Sequence, residues 1–275
     1  MPELPEVETI KRILSGRVTG KKILAVNVFL PRLIKWPVEV GEFVNIVEGR
    51  EIVNVDRRGK YLLLQLTGGV CLVIHLRMTG RLFTAEAGSP PDKYARVIFQ
   101  LEDGLSLIFA DSRTLGVLYA LKESELNRIP GLANLGPEPL AGEFSFGYLK
   151  NIISKRRGTI KGLLLDQRII GGLGNIYVDE SLSLAGIYPG RSACSLNDLE
   201  IERLYSAINS VITDGINHGG TTFRDYRDGD GKPGRHQNYL RVYGRTGKPC
   251  PECGTAIVKE VIAGRGTHYC PHCQH

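Results

Sequence analysis

Residues 250–273 read CPECGTAIVKEVIAGRGTHYCPHC, and two Cys-x2-Cys pairs, Cys250/Cys253 and Cys270/Cys273, frame the stretch with 16 residues between them. Such pairs gather four thiolates into a tetrahedral shell around one Zn²⁺. Four protein ligands leave no open coordination position, so the ion is structural rather than a Lewis acid. His272 falls inside the second pair, but the shell is complete without it and its side chain is expected to face solvent. The intervening TAIVKEVIAGRGTHY reads as a β-hairpin with AGRG at the turn, which places Arg265 between two glycines at the tip. A short finger stapled by a metal suits a charge held out to a phosphate better than an ordinary exposed arginine.

Upstream of this finger, assigned to residues 241–275, the pattern is helical. FGYLKNIISK, TIKGLLLDQRII, NIYVDESLSLAGI and LNDLEIERLYSAINSVITDGINHG each carry apolar residues at helical spacing. Residues 219–235, GGTTFRDYRDGDGKPGR, are too polar and glycine-rich for a core element and form a long loop of the kind that usually serves function. NLGPEPLAGEF, residues 134–144, has linker character. A helical domain is therefore expected over 134–240, with a separate domain over 1–133. In that first domain residues 3–16 predict a helix, with Val7, Ile10, Ile13 and Leu14 on one face. From about residue 22 to 121 the pattern turns to short β-rich runs: KILAVNVFL, YLLLQL, VCLVIHLRM, RVIFQL, LSLIF and VLYAL. The fold class is α+β: an N-terminal β-sandwich with flanking helices, then a helical domain ending in a four-cysteine zinc finger.

The 275 residues are 42% hydrophobic and 23% charged, an ordinary globular composition. No apolar run approaches the ~18 residues of a membrane span, and the first residues carry acids and no apolar h-region. A cytoplasmic protein without a membrane partner is expected. The net charge of +6 suits a polyanion, because cationic side chains that neutralise phosphates release counterions. Aromatic residues at 7% argue against a single-strand stacking surface. Without secretion the cysteines have little reason to form disulfides. Cys71 is expected as a core thiol, and Cys194 has no assigned role.

PELPEVET after Met1, RRGKYLLL, HLRMTGRL, DSR, LGPEPL, LLLDQ, GNIYVDE, GGTTFRDYR, DGKPG, VYGRTGKPCPECG and GRGTHYCPHCQ follow one another along nearly the whole chain. In this order they resemble the bacterial formamidopyrimidine-DNA glycosylases, enzymes that remove oxidised purines such as 8-oxoguanine from duplex DNA and then cut the strand. Leu4 favours this branch over the endonuclease VIII-type enzymes for oxidised pyrimidines, which begin PEGPE. A non-catalytic DNA-binding zinc protein is the alternative of a different class, and intact Pro2, Glu3 and Lys60 speak against it.

The resemblance implies a helix–two-turn–helix element and a catalytic set. Pro2, its amine freed by removal of Met1, is the nucleophile. An α-amine titrates near ~8 against ~10.4 for lysine, so more of it is neutral at pH 7. Glu3 is the proton donor. Glu6, at i+3, either shares that site as a second carboxylate or is an exposed acid of the first turn. Lys60 serves β-elimination. Arg265 is the δ-elimination residue, for which a phosphate clamp suits guanidinium better than acid catalysis.

Extrusion of the damaged base calls for a wedge, assigned to Met78, Arg113 and position 115, where Leu115 replaces the usual Phe. Phosphate contacts are expected from Arg157, Lys161 and Asn175, the last where GLGN opens a helix. Tyr94 stands in place of a DNA-contacting histidine. Thr221, Thr222, Arg224 and Tyr226 belong to the lesion-capping loop and are expected to offer backbone N–H groups to the flipped purine. Arg235-His236-Gln237 departs from the family's aromatic-Phe-Gln after DGKPG. A monomer on double-stranded DNA is expected.

Overall fold

The computed structural model describes residues 1–86, 89–90 and 92–275. The chain divides into two compact units, Met1–Ala133 with His218–Arg235, and Asn134–Asn217 with His236–His275. The long polar loop thus packs with the first unit and the finger with the helices, whereas the sequence suggested segments 1–133, 134–240 and 241–275.

The first unit opens with α1 (Leu4–Val18), whose Val7, Ile10, Leu14 and Val18 form its buried stripe. There follow β1 (Ile23–Val28), β2 (Ile34–Trp36), α2 (Val40–Val47), β3 (Ile52–Arg58), β4 (Tyr61–Leu66), β5 (Val70–His75), β6 (Gly80–Glu86), β7 (Ala95–Leu101), β8 (Leu105–Asp111), β9 (Val117–Lys122) and the short α3 (Pro130–Ala133). One sheet has the order β1-β7-β8-β6 and the other β2-β9-β5-β4-β3. Inward residues of both, including Phe99, Leu107 and Phe109 of the first and Leu62, Leu64, Leu72 and Ile74 of the second, join one core with the stripe of α1. That is the expected sandwich. The helix α2 was not anticipated inside the β-rich stretch. VGEFVNIV is rich in β-branched residues with modest helix propensity, but Phe43 and Val47, one turn apart, are fully buried in the core, so packing outweighs propensity.

The second unit contains α4 (Phe146–Ile153), α5 (Ile160–Leu165), α6 (Asn175–Ala185), α7 (Asp198–Asn217) and the finger hairpin β10 (Val258–Ile262) and β11 (Arg265–Tyr269). Ser145 and Thr159 cap α4 and α5 with their hydroxyls. α5 stops five residues short of the expected run, because the Gln167 amide binds the carbonyls of Leu165 and Leu173 and folds the chain into a turn. Among the described residues no helix is long and apolar enough to cross a membrane.

Candidate active site and nucleic-acid interface

The N-terminus of α1 is built by a reciprocal capping box. Glu3 is the N-cap and its side chain accepts from the backbone of Glu6, while Glu6 Oε2 accepts the Glu3 N–H at 2.8 Å. The other Glu6 oxygen accepts the Thr221 N–H at 2.7 Å, which ties the 218–235 segment to α1. Glu6 is buried, so of the two sequence readings the exposed first-turn acid is excluded. Pro2 and Glu3 are buried beside it. In the structure Met1 precedes Pro2, whose nitrogen is then an amide.

Lys60 sits in the two-residue turn joining β3 to β4, where Arg58 pairs with Tyr61 and Gly59 takes φ +57°. It is a buried lysine rather than a solvated one. The turn is braced from α1. Glu8 Oε2 accepts the Arg57 Nε–H at 3.0 Å, and Arg57 also donates to the Gly59 carbonyl at 3.0 Å. Burial alone would raise the Glu8 carboxyl, but hydrogen bonds from Arg12 and Arg57 hold it below its usual value. His75, at the end of β5, is buried and packs edge-on against Tyr61. Desolvation, then the charges of Arg77 and Lys60, pull its pKa down to about 3, and its Nδ1 accepts the Arg77 N–H. Neither Glu8 nor His75 was singled out in the sequence, where an acid on a charged helix face and a strand histidine carry no distinguishing signal.

The proposed wedge residues are presented outward: Met78 is 46% and Leu115 47% exposed, and Arg113 is exposed in the turn between β8 and β9. Tyr94 is half-buried, with Lys93 Nζ 4.9 Å from its ring centroid and Arg96 packed over the same ring. The 218–235 segment departs from expectation at Thr221, whose N–H is already committed to Glu6. Tyr226 anchors the loop. Its ring lies in the sandwich core and its hydroxyl donates to the carbonyls of Gly219 and Glu6. An aromatic side chain offers enough apolar area to anchor a polar loop. The Thr222 hydroxyl bridges the Tyr226 carbonyl and the Gly234 N–H, and Arg224 is exposed.

In the second unit Arg157 is exposed, and Arg265 is exposed at the first position of β11, directly after a two-residue turn at Ala263-Gly264 with φ +51° and +70°. Lys161 is not the phosphate ligand that its place in the sequence suggested. It is fully buried, its Nζ 2.6 Å from Asp179 Oδ1, so it is not available to a phosphate. It lies instead against the finger: Asn175 Nδ2 donates at 2.8 Å to the Gly266 carbonyl, toward which Lys161 Nζ also points at 3.5 Å. Asp179 Oδ2 accepts the His268 N–H, and Glu180 accepts the N–H groups of Arg241, Val242 and Tyr243. Burial raises the Glu180 carboxyl against the pull of these three donors. The acids of NIYVDE thus fasten the finger, a role invisible without the fold. His236 stacks on Tyr177 at 5.6 Å.

The four finger sulfurs lie within 4.8 Å of one another, with Cys250–Cys273 at 4.0 Å and Cys253–Cys270 at 3.5 Å. Zn–S bonds of ~2.3 Å in a tetrahedron set sulfurs about 3.8 Å apart, so the shell fits one zinc ion. Four thiolates this close repel one another, so the cluster calls for a cation to hold it. Cys71 lies outside this cluster, buried and pushed up to about 12 by desolvation.

Taken together, the two units are the parts of a DNA-processing enzyme: buried carboxylates at a helix N-terminus and a buried lysine in the β3–β4 turn in one, arginines on a zinc-stapled helical scaffold in the other. Three family profiles match in chain order: Formamidopyrimidine-DNA glycosylase N-terminal domain over residues 1–118, Formamidopyrimidine-DNA glycosylase H2TH domain over 135–227, and the zinc finger found in FPG and IleRS over 247–275. Formamidopyrimidine-DNA glycosylase of Pelotomaculum thermopropionicum is 47% identical, covering 100% of this chain and 99% of that protein. The crystal structure of MutM (Fpg) from Thermus thermophilus superposes with TM-score 0.90 at 43% identity, covering 99% of this chain and 98% of that one. Lactococcus lactis Fpg, in complex with DNA containing an abasic site, gives TM-score 0.93 at 36% identity over 99% of each chain. The chain belongs to the formamidopyrimidine-DNA glycosylase family.

Proposed function

We propose that Pro2, Glu3 and Lys60 carry the chemistry of this enzyme, a base-excision DNA glycosylase that removes oxidised purines from duplex DNA and then cuts the strand at the abasic site. The observation that carries the assignment is the buried N-terminus of α1, where Glu3 and Glu6 cap one another beside Pro2. Once Met1 is removed, the Pro2 nitrogen bonds to the sugar C1′ as the glycosidic bond breaks; the bond's electron pair leaves with the base, which takes up the proton that the Pro2 N–H gives up, so the nitrogen regains its lone pair. Glu3 protonates the ring oxygen, the C1′–O4′ bond opens, and a C1′=N⁺ iminium remains. Loss of a C2′ proton feeds electrons into that sink, and their return expels the 3′ phosphate. Lys60, buried at the β3–β4 turn, is the group assigned to proton transfer in this elimination. Glu6 is a holder rather than an acid, with both oxygens occupied by backbone N–H groups. Arg265 and Arg157 are assigned to phosphates, with Arg265 clamping the one that leaves by δ-elimination. The zinc ion holds the finger and takes no part in the reaction. The working form is a cytoplasmic monomer on double-stranded DNA.

Borohydride trapping on an 8-oxoguanine:C duplex tests this reading, together with an intact mass that begins at Pro2. Wild type is expected to form a covalent adduct and Pro2→Gly none. No wild-type adduct, or an undiminished one in the variant, rejects the mechanism. Faster incision of a dihydrouracil:G duplex than of 8-oxoguanine:C would instead assign the pyrimidine branch.

A further inference from the structure

Asp111, the last residue of β8, is fully buried and accepts four hydrogen bonds. Its Oδ1 takes the Thr79 hydroxyl at 2.5 Å and the Arg113 N–H at 3.1 Å. Its Oδ2 takes the N–H groups of Leu115 and Gly116, both at 2.8 Å. These donors come from two different turns. One runs from Leu76 to Gly80, closed by the Gly80 N–H on the Leu76 carbonyl, and exposes Met78. The other follows Asp111 and exposes Arg113 and Leu115. The Arg113 N–H is also shared with the Thr79 hydroxyl at 3.2 Å, which joins the turns directly.

Both turns hold conformations that side chains disfavour. Arg77 has φ +54° and Thr114 φ +56°. Neither position is a glycine, so the backbone alone would relax toward other states. Close approach leaves no slack: a Cβ on Gly80 would meet the Leu76 carbonyl oxygen at 2.3 Å, and one on Gly116 would meet the Phe109 ring at 2.5 Å. A buried carboxylate with all its donors in place is the strong form of polar anchor, and each lost donor leaves a charge unsatisfied.

We propose that Asp111 is a positioning residue that preforms the wedge, locking the Met78 turn to the Arg113–Leu115 turn before DNA arrives. Base extrusion from a duplex then depends on Asp111, whereas chemistry on an already accessible sugar does not. The inference rests on the reading of Met78, Arg113 and Leu115 as the residues that fill the vacated base position.

The test compares Asp111→Asn and Thr79→Val with wild type, as zinc-loaded full-length proteins under single-turnover conditions. One substrate is an 8-oxoguanine:C duplex, the other a single strand carrying an abasic site. Asp111→Asn is expected to slow the duplex reaction about tenfold or more and the single-strand cleavage less than about threefold. Thr79→Val, which removes one donor and keeps the carboxylate, follows the same pattern more weakly and serves if Asp111→Asn does not fold. In a Met78→Ala/Leu115→Ala background, Asp111→Asn is expected to add less than about twofold. Equal losses on both substrates, or a full additional loss in that background, overturn the positioning role. Wild-type duplex rates for Met78→Ala/Leu115→Ala alone overturn the wedge reading on which it stands.

Discussion

Asp179→Asn removes one charge from a pair whose side chains are both fully buried, and its cost follows from what it strands. Lys161 Nζ lies 2.6 Å from Asp179 Oδ1, with the Gly266 carbonyl at 3.5 Å as a further acceptor. At an effective dielectric of about 20 the Coulomb attraction at that separation is about 6 kcal/mol, most of it offset by the desolvation of both ions. Asparagine keeps the volume and can still accept the His268 N–H, so the change isolates the charge. Breaking a buried pair on one side costs ~3–5 kcal/mol, because the remaining ion stays buried without its counter-charge. Against a domain stability of ~5–15 kcal/mol this is about a fifth of the whole or more. Urea unfolding followed by far-UV circular dichroism, with zinc release measured by a chelating dye, reads the helical unit and the finger together. Lys161→Met is expected to cost a similar amount, and Lys161→Met/Asp179→Asn to recover most of it, giving a coupling of at least ~2 kcal/mol. Single variants costing under ~1 kcal/mol, or losses that simply add, would refute the claim that these residues are a mutually dependent pair rather than two separate polar groups.

Two further outcomes are expected. Gly220 has φ +80°, and a Cβ there would lie 2.8 Å from Glu6 Cγ and 3.2 Å from Glu6 Cα, whereas Gly231 has φ +78° with nothing within 4 Å. Gly231→Ala should therefore cost only the strain of its backbone, ~1 kcal/mol, and Gly220→Ala a further ~1–3 kcal/mol with slower excision; equal melting temperatures for the two variants would show that the contact with α1 does not hold the loop. His75 has a folded pKa of about 3, below the ~6.5 of an unfolded chain, so its contribution is complete above pH ~6.5 and is lost as the pH falls toward 3. The stability difference between wild type and His75→Asn should shrink across that window by up to ~1.4 kcal/mol per pH unit, measured by urea unfolding at pH 7, 6, 5 and 4; a constant difference would mean that the histidine is not held neutral.

Several of these features were legible before the fold was known, and each for a local reason. The zinc shell follows from ligand chemistry and spacing, since Cys250, Cys253, Cys270 and Cys273 need only a hairpin to meet. The helix at the N-terminus and the strands of the sandwich follow from the period of their apolar residues. Pro2, Glu3 and Lys60 stood out through motifs that occupy contiguous stretches of chain, and the exposed Met78, Arg113 and Leu115 through the same resemblance.

The tertiary structure decided what depends on partners distant in sequence. Glu6 is a buried double acceptor because Thr221, 215 residues away, donates to it. Lys161 is an internal ion-pair partner because Asp179 faces it from the next helix, although its setting in SKRRGTIK suggested a phosphate ligand. Tyr226 became a core residue, α2 formed where β-branched residues predominate, and Asp111 acquired donors from two turns at once. A sequence states which groups a residue brings. Whether a charge meets solvent, phosphate or a buried counter-charge depends on desolvation and on partners that only chain closure delivers, and this is where the reading of single residues changed.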